Sequence, residues 1–265
     1  MGPRMRFLAL VLSAVILLPL PGASAQEASG TRVLAGVTPA SLAGKDAGFR
    51  QALSRAEAIY VGEIHDRPGD HRFEGRLIEI LARNRVPFVV GWEMFDRSQQ
   101  PVLDAWQRGR LTRAQLFQQT GFQRAWAVYS PWYGRILDET RRFGIRNLAL
   151  NARPALAHKV SQGIQMTPAE AAEVPRGFST DEGAFRNFSR MMGAHPGMDT
   201  NSLRRFFKAQ SLWDQTMASV ILDFHAREPQ TKVVVLTGRG HVERGYGIPY
   251  FVNQKARLEQ LVLLP

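Results

Sequence analysis

The chain has 265 residues, a formal net charge of +11 and no cysteine. Its length allows one large domain or two small ones, and 45% hydrophobic with 22% charged residues excludes a disordered chain. The lack of cysteine excludes disulfides, thiolate metal sites, a cysteine nucleophile and a lipid-modified N-terminal cysteine.

The first residues form a unit of their own. Arg4 and Arg6 precede an almost wholly apolar run from Phe7 to Leu18, then Pro19, Pro21 and Ala23–Ser24–Ala25. This is the pattern of a secretory signal peptide, with cleavage expected after Ala25. The run is shorter than the ~20 residues that a membrane span needs. The sequence therefore predicts export to the periplasm, with the mature protein soluble or membrane-associated but not a lipoprotein. Arg4 and Arg6 account for +2 of the charge, so the chain beyond residue 25 carries +9. Its arginines are scattered, which argues against nucleic acid and leaves two readings: a basic surface that meets anionic molecules or a membrane, and, favoured over it, an ordinary arginine-rich solvated exterior. The expected plan is a signal peptide over 1–25, a flexible lead-in rich in Ala, Gly, Ser and Thr over 26–48, and one α/β domain over 49–265.

A helix over Phe49–Glu57 leads to the apolar stretch Ile59–Tyr60–Val61–Gly62. This reads as a buried strand that stops at glycine and presents Glu63, His65 and Asp66 from the loop beyond. A turn at Arg67–Asp70, with Asp70 as a candidate N-cap, opens a helix marked by Phe73, Leu77, Ile80 and Leu81. Pro87 introduces a second strand, Phe88–Trp92, with Glu93 at its end. Helices follow over Ser98–Trp106 and Thr112–Gln119, then an aromatic cluster of Trp126, Tyr129, Trp132 and Tyr133. Pro131 starts a helix to about Phe143, and Arg146–Asn151 is a third strand. About 153–201 is expected as a helical insertion or cap, carrying Met191, Met192, His195 and Met198. A long amphipathic helix over Leu203–Phe224 feeds a strand, Val233–Thr237, followed by Gly238–Arg239–Gly240–His241. Ile248–Val252 and Leu261–Leu264 are expected to close an edge. The fold class is α/β: a central, mostly parallel sheet flanked by helices, with a helical subdomain.

Ligands gather outside the carboxyl ends of parallel strands. Glu63, His65, Glu93 and His241 all sit at such ends, with Asn151 at another. Asp66, His71 and Asp214 are further candidates to lie near them. Two histidines and two carboxylates suit acid–base catalysis or a divalent metal. The glycines around Arg239 match neither phosphate-loop spacing, and no G-x-S-x-G or H-E-x-x-H is present. Tyr129, Tyr133 and His195 are candidate axial ligands for haem, a flat apolar ring whose iron accepts tyrosine or histidine; ordinary core packing is the competing reading of the same residues.

Five segments together resemble the ChaN family of haem-binding uptake proteins, within a grouping that includes Tiki/TraB proteins and erythromycin esterases. They are Val61–Asp66, Gly91–Met94, Leu148–Ala152, Ala209–Ala218, and Leu236–His241 with Gly247–Pro249. The resemblance implies an α/β fold with a helical subdomain, and exported haem handling in iron uptake, with haem as ligand and a haem-uptake receptor or transporter as partner. It also implies that Gly62–His65, Glu93 and Gly238–His241 correspond to motifs of relatives proposed as hydrolases or metal-dependent proteases. Many ChaN-like proteins are lipoproteins, and the cysteine this requires is absent here. Two functions follow: a haem-binding protein of iron uptake, or a hydrolase, with or without a divalent metal, using Glu63, His65, Glu93 and His241.

Overall fold

The computed structural model describes residues 30–44, 46–126, 128–180, 182–192 and 199–265. In chain order the elements are β1 (Thr31–Ala35), α1 (Pro39–Ala43), α2 (Ala47–Arg55), β2 (Ala58–Glu63), α3 (Pro68–Arg83), β3 (Phe88–Asp96), α4 (Gln100–Gln107), α5 (Arg113–Thr120), α6 (Phe122–Trp126), α7 (Ser130–Arg142), β4 (Asn147–Asn151), α8 (Pro154–Gln162), α9 (Pro168–Glu173), α10 (Glu182–Met192), α11 (Thr200–Arg227), β5 (Lys232–Gly238), α12 (Ile248–Asn253) and β6 (Gln260–Leu264). The six strands form one sheet in the order β1-β6-β2-β5-β3-β4, and every neighbouring pair is parallel. A parallel sheet of this kind is buried on both faces, which is why β2 and β5 read as near-continuous apolar runs.

Successive residues of a strand face opposite sides, and the packing follows that parity. Ile59, Val61, Val90, Trp92, Val234 and Leu236 pack with Phe73, Leu77, Leu103, Trp106 and Leu137 on one face. Tyr60, Val89, Val233 and Val235 pack with Met217, Ile221, Phe224 and Val252 on the other. The first face is covered by α3, α4 and α7, the second by α11 and α12. Each fully buried Leu, Ile or Phe contributes on the order of 1.5–3 kcal/mol, so both interfaces are substantial. Gly62 allows the sheet to be approached closely: a β-carbon there would stand 2.6 Å from Leu264 and 2.7 Å from Val242.

The structure departs from the sequence reading at four places. The segment expected as a loose lead-in contains β1, which pairs with β6 over Thr31–Ala35. Consequently β6 lies inside the sheet rather than at its edge. Ile248–Asn253 is a helix with Pro249 in its first turn, where a missing N–H costs nothing. Both catalytic candidates expected beyond their strands lie within them: Glu63 is the last residue of β2, and β3 runs on past Glu93 to Asp96 through an irregularity in its pairing with β4. Finally, α3 begins at Pro68, so Asp70 lies in its first turn. Its carboxylate accepts a hydrogen bond of 2.8 Å from the Ile64 N–H and ties the loop after β2 to the helix. The signal-peptide segment and His195 lie outside the described residues. Among the described residues no helix is long and apolar enough to cross a membrane.

Candidate functional site

The carboxyl ends of β2, β3 and β5 lie side by side, because Glu63 pairs with Gly238 and Trp92 with Leu236. Parity sends their two glutamates to opposite faces. Glu63 follows Ile59 and Val61 toward α3 and α7; Glu93 follows Val89 toward α11. Gly238 stands between them. A β-carbon on Gly238 would lie 2.9 Å from His65 Nε2 and 3.6 Å from Glu93 Oε2, so only glycine lets the His65 ring reach across the strand ends.

On the first face, Glu63 Oε1 accepts from His65 Nδ1 at 2.7 Å and from the Tyr133 hydroxyl. Glu63 Oε2 lies 3.0 Å from His71 Nδ1. The same nitrogen donates to Glu74 Oε2 at 3.0 Å, and His71 Nε2 donates to the His65 carbonyl at 2.9 Å. Burial alone would raise the Glu63 carboxyl, but the hydrogen bond and charge of His65 and the close approach of His71 outweigh it and hold it well below the usual carboxylate range. Burial and the Glu63 charge push Glu74 well above that range. His71 is driven down by burial, yet the Glu63 and Glu74 carboxylates beside it push it up to about 11. His65 is raised above its ordinary value, Glu63 overcoming burial. Tyr133 is also raised, by burial and the adjacent Glu63 charge, and keeps its proton.

On the second face, Glu93 Oε2 accepts from the Thr237 hydroxyl and the Gly238 N–H, each at 2.7 Å. Its other oxygen is 3.4 Å from His241 Nε2. His241 Nδ1 is 2.5 Å from Asp214 Oδ1, with the Gln210 amide 2.8 Å away. His241 is thus clamped between two carboxylates. Burial opposes its charge, but Glu93 and Asp214 hold it at about 10. Against burial, the charge and hydrogen bond of His241 bring Glu93 down to about 2, whereas burial raises Asp214. Asn151 donates to the Glu93 carbonyl at 3.0 Å. A small apolar cleft of about 50 Å³ adjoins this face, lined by Phe188, Phe207, Tyr250 and Phe251 together with Gln210 and Asp214.

The structure therefore brings Glu63, His65, Glu93 and His241 to one strand edge, and His71 and Asp214 join them. Asp66 is exposed. Tyr129 and Tyr133 lie at the same edge, through the start of α7. Tyr133 is fully buried and bound to Glu63. Tyr129 is half-buried, 6.0 Å from His65 between ring centres, and its hydroxyl makes no hydrogen bond among the described residues. Trp126 packs on His65 at 5.1 Å, and Trp132 stacks on His71 at 4.9 Å. With Val128 fully outward, 75% exposed, this partly open aromatic wall beside an unengaged phenol fits a flat apolar ring with a tyrosine ligand.

Sequence reasoning missed Glu74, Gln210 and Thr237. Glu74 follows His71 by three residues and Gln210 precedes Asp214 by four, so each shares a helix face with a candidate already in view. That spacing was the available signal.

A family model described as haem-binding uptake, Tiki superfamily, ChaN, matches residues 49–252. Among solved structures the chain is similar to one described as cofacial heme binding to ChaN of Campylobacter jejuni, with a TM-score of 0.61 and 19% identity over 82% of this chain and 84% of that one. It is also similar to a mutant of the erythromycin esterase EreC in its open conformation, with a TM-score of 0.51 and 12% identity over 82% of this chain and 71% of that one. At such identities these two likenesses speak to the fold. No curated protein matches the chain. The family match spans most of the chain and takes in both faces of the strand edge, and the chain belongs to the ChaN family of haem-binding uptake proteins in the Tiki superfamily.

Proposed function

We propose that this chain is an exported haem-binding protein that serves haem and iron uptake. The family match over residues 49–252 carries the reading, and the fold it shares with the ChaN of Campylobacter jejuni supports it. The signal-peptide pattern ending at Ala25 supports export to the periplasm, and the net charge supports contact with an anionic ligand or membrane surface. Haem is here the cargo. Trp126, Tyr129 and Trp132 offer apolar faces to a porphyrin, and Tyr129 is the phenol free to act as axial ligand. Tyr133 is committed to Glu63 by a buried hydrogen bond. Haemin titration of the purified protein tests the reading directly. A saturable Soret band at micromolar haemin is expected, lost or shifted in Tyr129→Phe and retained in Tyr133→Phe. No band in the wild type at that concentration would show the reading to be wrong.

A second reading, hydrolysis, is favoured by one observation: His241, held by Glu93 and Asp214, sits beside the apolar cleft. A histidine fixed by carboxylates next to a cleft can move protons at a bound ester. A panel of apolar aryl esters should be turned over by the wild type and not by His241→Gln. Equal rates in the two proteins would remove this reading.

A further inference from the structure

We propose that Glu63, His71 and Glu74 form a binding site for a divalent transition-metal cation of the Zn2+ type, on the face of the sheet covered by α3 and α7. One ligand atom from each residue lies within 4.8 Å of the other two. The three are 1%, 5% and 0% exposed respectively. The geometry is that of a site with buried donor atoms to spare. Glu63 Oε2 and Glu74 Oε1 are buried and accept no hydrogen bond among the described residues, although buried polar atoms are normally partnered. His71 Nδ1 lies 3.0 Å from Glu63 Oε2 and 3.0 Å from Glu74 Oε2, and a single N–H on that nitrogen is directed at only one of two carboxylates.

The other nitrogen of His71 explains what the arrangement suits. Nε2 donates to the His65 carbonyl at 2.9 Å, the kind of outer contact that sets the tautomer and orientation of a metal-bound imidazole. With the proton on Nε2, the Nδ1 lone pair points at the two carboxylates. The ring is held in place by Trp132, stacked at 4.9 Å, and by the edge contact with Tyr133 at 5.0 Å. Neutral imidazole with two carboxylates balances the charge of a dication. This donor set suits Zn2+, Mn2+ or Fe2+ rather than Mg2+, and three protein donors leave a zinc ion one coordination position for a further ligand. The site shares Glu63 with the strand edge but otherwise stands apart from Glu93, Asp214 and His241, which lie on the opposite face. It does not depend on haem binding.

The test uses the full chain stripped with chelator and titrated with Zn2+ alone. About one Zn2+ per chain should be retained after desalting, with saturable calorimetric binding and a raised melting temperature. Zn2+-soaked crystals should give an anomalous peak between the three side chains. Glu74→Gln and His71→Asn should each weaken binding by at least the roughly 10–100-fold that follows loss of an outer-shell partner. His241→Gln should bind Zn2+ as the wild type does. The proposal is overturned if the stripped wild type takes up no Zn2+ at micromolar concentration. It is equally overturned if the anomalous peak lies elsewhere, or if His241→Gln loses as much affinity as Glu74→Gln. Haemin binding, read from the Soret band of the same samples, separates failure of this site from failure of the haem reading.

Discussion

The two faces of the strand edge hold similar groups in different ways. Beside α11, His241 has a carboxylate on each nitrogen, and Glu93 is supplied with a hydroxyl and a backbone N–H. Each charge has its own partner. Beside α3 and α7, one carboxylate, Glu63, serves His65, His71 and Tyr133 at once, and Glu74 crowds against the same imidazole. The first arrangement is a closed relay. The second is an interlocked cluster with orphaned oxygens, and aromatic side chains surround it. Buried charges need partners to stay ionised, and here the two strand ends that flank β5 meet that need by opposite strategies.

The contrast makes unequal demands on the two glutamates. Glu63→Ala removes the partner of two imidazoles and a phenol together, and should cost about 3–5 kcal/mol in urea unfolding, the usual consequence of breaking a buried charge pair. Glu93→Ala leaves His241 paired with Asp214 and orphans two neutral donors, so its cost should be closer to 1–3 kcal/mol. Equal losses would show that the Glu63 cluster is no more interlocked than its counterpart.

Alkaline pH separates the faces by titration. His241 and His71 are raised from 6.5 to about 10 and about 11. A raised folded-state value gives stability that is complete below pH 6.5 and lost as pH rises through the folded value. Stability should therefore fall between neutral pH and about 10, then further toward 11. His241→Gln should make the first part of that slope shallower, leaving the His71 contribution, and spare the second. Glu93 has the opposite sign: lowered from 4.5 to about 2, it contributes above pH 4.5 and loses that contribution as pH falls toward 2. Urea midpoints at fixed pH measure both limbs, and an unchanged alkaline slope in His241→Gln would assign it to other groups.

Smaller effects distinguish the two tyrosines. Tyr133→Phe removes a buried donor from Glu63 and should cost about 1–3 kcal/mol. Tyr129→Phe, at a half-buried position without a hydrogen bond, should stay within about 0.5 kcal/mol. A Tyr129→Phe loss as large as that of Tyr133→Phe would mean that its hydroxyl has a partner in the folded protein.

Local pattern alone located most of this edge. Apolar runs of strand length ending near glycine marked β2, β3 and β5, and with them Glu63, His65, Glu93 and His241. The helices over residues 68–83 and 200–227 were legible from their apolar spacing, because burial of one helix face leaves a periodic trace in a single segment. Nothing comparable marks β1, a five-residue edge strand that exists as a strand through its pairing with β6. Nor does any local signal say which face a strand-end side chain takes. Parity along β2 puts Glu63 with Val61 and parity along β3 puts Glu93 with Val89, but which parity meets α7 and which meets α11 depends on the order and register of strands far apart in the chain. The partners of these carboxylates follow from that choice. Tyr133 reaches Glu63 because α7 packs on the first face, and Asp214 reaches His241 because α11 packs on the second; the chemistry was written in residue types, while its pairing is a property of the packed layers.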